Sequence, residues 1–357
     1  MRRGALALLM VGLLGCQGFV PVKVETDNKV VLDGPLKGNF TAELPAAKDA
    51  DPLVQVVLEG CGGDFIKADK TVLAKGPTIG LIDLDGLLLN TNFTGFYSNG
   101  ENPVAVFKEK LDRMAADPQV RAVVLRVNSS GGSVAATDAM ARELQNFRDR
   151  TGKPVVVCLL DLGCGGGYFL ATLGDGIVAQ PSSLVGGVGV ILNLYNLHEL
   201  MAQFNVLNQS VKAGANIDMG SAAAAINPET KKLLQDMANE YHDTFRQVVR
   251  SRRKLPAQAE YALDGRVFTA RQALELGFID QIGYLEDAVA LARGLGKAPS
   301  ASVVMLRRPG DAARTPYAVS PNTPLQLMPI SVPGIDRSKL PTFMYAWSPD
   351  PTLERIK

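Results

Sequence analysis

The chain has 357 residues, 46% of them hydrophobic, with 37 Lys plus Arg against 36 Asp plus Glu. That length buries one large core or two modest ones, and the balanced charge leaves no basic field for nucleic acid. Two histidines, His198 and His242, and four cysteines without CxxC or Cys/His spacing argue against a zinc site. No cofactor or metal is expected.

In chain order, Arg2 and Arg3 precede a short apolar run, "GALALLMVGLLG", that ends at Cys16. A charged start and an apolar segment too short to span a bilayer read as an export signal. The ending "LLGC" resembles the lipobox of bacterial lipoproteins, with Cys16 as the lipidated residue. The alternative is an ordinary secretory signal with a chance cysteine. The expected location is the cell envelope: exported, and lipid-anchored to a bacterial membrane on its periplasmic or extracytoplasmic face. Residues 17–77 form a small β-rich segment, with runs such as "KVVLDG" and "LVQVVLEG" between turn residues.

From Thr78 strands alternate with helices, which predicts an α/β domain over 78–295. "TIGLIDLDGLLL" is a strand followed by a turn or second strand, "AVFKEKLDRMAAD" a helix, and "VRAVVLRVN" a strand ending in a tight loop, "SSGGSV". A helix from Ser133 keeps Val134, Thr137, Ala141 and Leu144 on one face. "KPVVVCLL" is a buried strand in which Cys158 is an inert core thiol. The glycine run "GCGGG" then opens into a helix at "GYFLATLG". The clearest helix follows Asn227 as N-cap and Pro228 at the first turn. Its apolar stripe is Leu233, Leu234, Met237, Tyr241, Phe245 and Val248, read as core or subunit contact. Residues 296–357 are proline-rich and lose periodicity, which predicts an extended tail laid over the domain or mobile.

Four segments together resemble the signal peptide peptidase A family of serine–lysine peptidases, which has the Clp-protease/crotonase fold of repeated ββα units. "VVLRVNSSGGSV" (123–134) resembles the strand and oxyanion loop. "KPVVVCLLDLGCGGGYFLATLGDGIVAQPSSLVGGVGV" (153–190) resembles the nucleophile region. "SVKAGANIDMGS" (210–221) resembles the lysine-bearing segment, and "DGRVFTARQALELGFIDQIG" (264–283) the C-terminal motif. The resemblance places Gly165 at the nucleophilic serine and Ile217 at the general-base lysine. Such a dyad works because a desolvated lysine takes the proton of a nearby hydroxyl. Glycine offers no atom to attack with, and isoleucine no lone pair. An apolar residue at the lysine position also avoids burying an unpaired amine.

What the resemblance leaves is a cradle. Amides near Gly131 and Gly132, with those of Gly165 and Gly166, would face a carbonyl oxygen as an oxyanion hole does. Strand edges beside it would pair with an extended peptide. The same glycine run also reads as a tight strand-to-helix turn with no ligand. Substitute nucleophiles are disfavoured. Cys164 is one residue off and turned away, and Ser129 and Ser130 suit caps. Lys212, at an accessory lysine position, suits a surface hydrogen bond. Units of the family form rings, which implies a homo-oligomer or co-assembly with an active homologue. The leading expectation is therefore an envelope lipoprotein without a working dyad that binds extended peptides or signal-peptide remnants. The rival is an active serine-type peptidase with a non-standard nucleophile. Acyl-thioester chemistry, borrowing only the oxyanion hole, ranks last.

Overall fold

The structure is a computed structural model. It describes residues 76–91, 101–307 and 342–347, together with the backbone of short strands at 9–11, 20–25, 29–32, 42–43, 54–58, 93–95 and 98–101. The chain divides into two compact units, Met1–Pro52 and Leu53–Lys357. In the first, β1 (Leu9–Val11), β2 (Val20–Glu25), β3 (Lys29–Leu32) and β4 (Ala42–Glu43) form an antiparallel sheet. Part of the apolar run read as an export signal is thus strand backbone. Cys16, the lipidation candidate, lies outside the described residues.

The second unit is built on a largely parallel sheet. Its strands are β5 (Val54–Leu58), β6 (Thr78–Leu88), β9 (Val120–Ser133), β10 (Val155–Cys164), β11 (Gly176–Ala179), β12 (Leu184–Gly186), β13 (Val267–Thr269), β14 (Gln281–Ile282), β15 (Ser302–Arg307) and β16 (Met344–Ala346). The separate pair β7 (Phe93–Gly95) and β8 (Ser98–Glu101) follows β6. The main path runs β13-β12-β10-β9-β6-β15-β5, with β11 and β14 continuing from β10 and β16 pairing β9. Pairs from β12 to β15 are parallel; antiparallel β13 and β5 end the path, and antiparallel β16 pairs with the last residues of β9. Parallel strands buried on both faces require near-continuous apolar runs, as β9 and β10 have. Alternation sends Val123, Leu125 and Val127 into one core and Ala122 and Val124 into the other. Val155, Val157 and Leu159 likewise oppose Val156 and Cys158. Cys158 is fully buried, as its apolar setting predicts.

The helices are α1 (Pro103–Ala116), α2 (Val134–Thr151), α3 (Gly166–Ala171), α4 (His198–Gln203), α5 (Pro228–Arg252), α6 (Ala270–Glu275) and α7 (Leu285–Leu295). Their starts follow capping chemistry. Asn102 accepts from the Val104 amide at 2.9 Å, Ser133 from Ala136 at 3.1 Å, and Asn227 from Thr230 at 2.7 Å. The α5 stripe divides: Leu234 and Phe245 are buried, whereas Leu233, Met237 and Tyr241 stay exposed.

Two segments differ from the sequence reading. "SSGGSV" is not a tight loop but the extended end of β9. It is held on one side by Leu87 and Leu88 of β6 and on the other by β16, so its conformation is set by distant partners. The proline-rich segment contributes two strands. β15 lies between β6 and β5 in the sheet, and β16 lies against β9.

Candidate functional site: the glycine turn and the strand laid across it

β10 changes partners along its length. Val156–Leu159 pair with β11, whereas Leu162–Cys164 pair with β12. The register against β9 shifts between Leu159 and Gly163, and the Asn128 side chain accepts the Leu162 amide there at 3.2 Å. The strand then ends abruptly at Gly165, with φ 50° and ψ −125°, and α3 begins at the next residue. Positive φ is strained for any residue with a Cβ and free for glycine. The turn is pinned: the Gly165 amide donates to the Gly186 carbonyl at 3.0 Å, and the Phe169 amide donates to the Gly165 carbonyl at 2.9 Å. Beneath it Tyr168 is fully buried, stacked on Phe278, and its hydroxyl donates to the Phe278 carbonyl at 2.9 Å.

The structure brings Gly131, Gly132 and Gly165 against one backbone segment, with Gly166 beside Gly131. A Cβ on Gly131 would lie 2.9 Å from the Gly166 nitrogen and 1.9 Å from the Tyr345 carbonyl oxygen. A Cβ on Gly165 would lie 2.3 Å from that same oxygen and 2.9 Å from the Ser130 carbonyl oxygen. On Gly132 it would meet the Leu88 carbonyl oxygen at 2.0 Å, and on Gly166 the Thr137 Oγ1 at 2.4 Å. Tyr345 belongs to β16, which runs antiparallel to β9 with Met344, Tyr345 and Ala346 opposite Ser133, Gly132 and Gly131. The expected oxyanion role needs one correction. The Gly165 amide does not face a bound carbonyl, because Gly186 already occupies it. The Gly131 amide is engaged as well, donating to Ser129 Oγ at 3.1 Å.

Two of the nearby groups, Cys164 and Ser129, donate to backbone carbonyls. Cys164 is buried, its Sγ donates to the Leu184 carbonyl at 3.4 Å, and burial pushes its thiol up to about 12. Ser129 Oγ donates to the Gly86 carbonyl at 2.6 Å, and Ser133 caps α2. Thr137 Oγ1 is buried without a hydrogen-bond partner. Candidate bases are committed too. His242 Nε2 lies 2.9 Å from the Val188 carbonyl and 2.7 Å from that of Leu263. Two acceptors at Nε2 require the proton there, so that nitrogen has no lone pair to offer. Desolvation lowers the pKa of Lys153. Its ammonium, however, donates to the Met114 and Asp117 carbonyls, each at 2.7 Å, satisfying the end of α1.

Ile217 is 72% exposed, in a run of turns between α4 and α5. Its reading as an apolar replacement that spares a buried amine therefore does not describe the single chain. Lys212 Nζ lies 2.8 Å from both carboxylate oxygens of Asp218, and that hydrogen bond holds Asp218 below the ordinary carboxylate range. Sequence reasoning missed β16 altogether. Its one signal was the apolar cluster "FMYAW" in a stretch otherwise rich in proline.

Comparison with known proteins agrees with the arrangement. The profile of peptidase family S49 matches residues 147–298, the span from the end of α2 past α7. Protease 4 of Salmonella typhi is 31% identical over 229 residues, covering 64% of this chain and 36% of that protein. A Methanocaldococcus jannaschii protein provisionally named as a protease is 30% identical over 211 residues, covering 59% and 67%. An Enterococcus faecium protein provisionally named signal peptide peptidase SppA is 29% identical over 224 residues, covering 62% and 65%. The chain thus spans about a third of the first relative and about two thirds of the other two.

Proposed function

The chain belongs to peptidase family S49, and from that premise we propose that it is a member without a working dyad, serving as a receptor for extended peptides. The observation that carries this reading is the turn at Gly165. It keeps the abrupt, positive-φ strand-to-helix geometry that exposes a nucleophile in other hydrolases, yet it holds no side chain. A backbone carbonyl, that of Tyr345, occupies the space a Cβ would need. The Ser129 hydroxyl and the Cys164 thiol beside it are bonded to backbone, and Ile217 supplies no base. The edges beside the turn, β9 on one side and Ile191 on the other, suit main-chain pairing with an extended segment.

The rest of the proposal concerns setting. Cys16 would carry a lipid anchor holding the protein at an extracytoplasmic membrane face. Among the described residues no helix is long and apolar enough to cross a membrane. The exposed apolar residues from Tyr195 to Tyr241 would be covered in a homo-oligomer or by an active homologue. The test is fluorophosphonate labelling of the full-length protein together with cleavage of casein and a signal-peptide substrate. Neither labelling nor cleavage is expected. Labelling abolished by Cys164→Ala or Ser130→Ala would establish the rival reading, a peptidase with a non-standard nucleophile.

A further inference from the structure

The cleft beside Gly165 contains part of the same chain. β16 lies between two backbone edges and pairs with both. On the β9 side the Val134 amide donates to the Phe343 carbonyl at 3.1 Å, and the Trp347 amide donates to the Ser130 carbonyl at 2.9 Å. On the other side Met344 and Ile191 exchange both bonds at 2.9 Å. This is how an extended peptide adds to sheet edges, where main-chain bonds supply sequence-independent affinity and a pocket for alternate side chains supplies selectivity.

The side chains follow that alternation. Tyr345 is 2% exposed, whereas Met344 and Ala346 on either side are half-buried. The Tyr345 ring stacks on Phe169 with centroids 5.5 Å apart and tilts against Phe245 at 4.9 Å. Its hydroxyl donates to the Tyr241 carbonyl at 2.9 Å. The pocket floor is therefore made by α3, the helix that opens at the glycine turn, and by α5. A hydroxylated aromatic side chain satisfies both its walls and its single polar acceptor.

We propose that Phe343–Trp347 is a tethered ligand of this cleft, and that an outside ligand is an extended segment that displaces it by offering a tyrosine to the Phe169–Phe245 pocket. The inference rests on the peptide-receptor reading and adds to it a ligand class and a means of regulation. A segment of the same chain competes at an effective concentration that a free peptide must exceed. The intact protein is therefore self-occupied, and its affinity for outside peptide is the open cleft's affinity multiplied by the fraction of time the cleft is open.

The test uses the full-length chain, intact and as Tyr345→Ala, with a fluorescein-labelled synthetic peptide Thr-Phe-Met-Tyr-Ala-Trp read by anisotropy. The Tyr345→Ala chain is expected to bind this peptide at least tenfold more tightly than the intact chain. Replacing the peptide's tyrosine by alanine should weaken binding to that variant at least tenfold. A second full-length variant, Ile191→Cys with Met344→Cys, pairs two residues whose expected Cα separation, about 5.5 Å, suits a disulfide. Its oxidised form should lose peptide binding and recover it on reduction. Equal affinity for the intact and Tyr345→Ala chains, with undiminished binding to the oxidised form, overturns the tethered ligand and leaves the receptor reading standing. Peptide bound by none of the forms overturns the receptor reading, and the ligand role of the strand with it.

Discussion

Placing one methyl group at the glycine turn, by Gly165→Ala, tests how the turn and the strand over it depend on each other. At φ 50° a Cβ introduces backbone strain of about 1–2 kcal/mol. It would also stand 2.3 Å from the Tyr345 oxygen and 2.8 Å from the Tyr345 carbonyl carbon, both backbone atoms, so no side-chain rotation relieves the clash. Either the turn deforms or β16 leaves. The turn is pinned from both directions by the Gly186 and Phe169 bonds. Besides its ladder with β9, the strand is held by four backbone bonds worth about 1 kcal/mol each and a hydroxyl bond worth about 1 more. Burial of the Tyr345 side chain adds roughly 1.5–3 kcal/mol. Ordering the segment from Phe343 to Trp347 opposes these with about 1–2 kcal/mol per residue, so the seat is favourable by only a few kcal/mol at most. The strand should therefore leave. Trp347 is the chain's single tryptophan, and its emission should shift to the red in Gly165→Ala as it enters water. The melting temperature should fall by roughly 4–8 °C, as expected for about 2 kcal/mol in a domain of this size. An unchanged Trp347 spectrum with an unchanged melting temperature would refute the reasoning, because it would mean the turn accepts a Cβ beneath the seated strand.

Two further predictions concern the buried thiols and the exposed apolar surface. Burial pushes the Cys158 and Cys164 thiols up to about 12, so neither should react with iodoacetamide at pH 8 before unfolding, as peptide mapping would show. Because both pKa values are raised in the folded chain, the stability they contribute is fully present below the unfolded thiol value of about 8.5. It declines as pH rises from there towards about 12, so the guanidinium midpoint should be lower at pH 10.5 than at pH 8. A flat profile would contradict the buried, bonded thiol. Phe204 is 74% exposed, and Leu207 and Tyr195 are exposed near it in sequence, residues of the kind that a subunit contact covers. Light scattering should find an oligomer that Phe204→Asp with Leu207→Asp converts to monomer. A wild-type chain monomeric at its highest soluble concentration would rule this out.

Much of this architecture was legible in residue order, for identifiable reasons. β9 and β10 announce themselves because a strand covered on both faces has no polar alternation to confuse with a helix. α5 was bounded correctly at its start because Asn227 and Pro228 act through local geometry. The end of β9 was misread as a loop because glycines and serines signal turns only where no neighbour overrides them. Here Leu88 and Tyr345 both do. β16 was invisible for a related reason. Three residues carry no periodicity, and their pairing partners lie more than two hundred positions earlier. What fills the space at Gly165 was not legible, since it is the carbonyl of Tyr345, 180 positions further along the chain.

The glycine at 165 and the strand above it are two sides of one constraint. A serine at a positive-φ turn needs its Cβ in the space that the Tyr345 carbonyl now takes, so a nucleophile and this seated strand exclude each other in the same conformation. A glycine at 165 leaves room for a backbone to lie flat across the turn. Gly131 and Gly165 both have positive φ, and both would drive a Cβ into the same carbonyl oxygen. Their shared requirement is the close approach of a main chain, which is what a receptor for extended segments must provide.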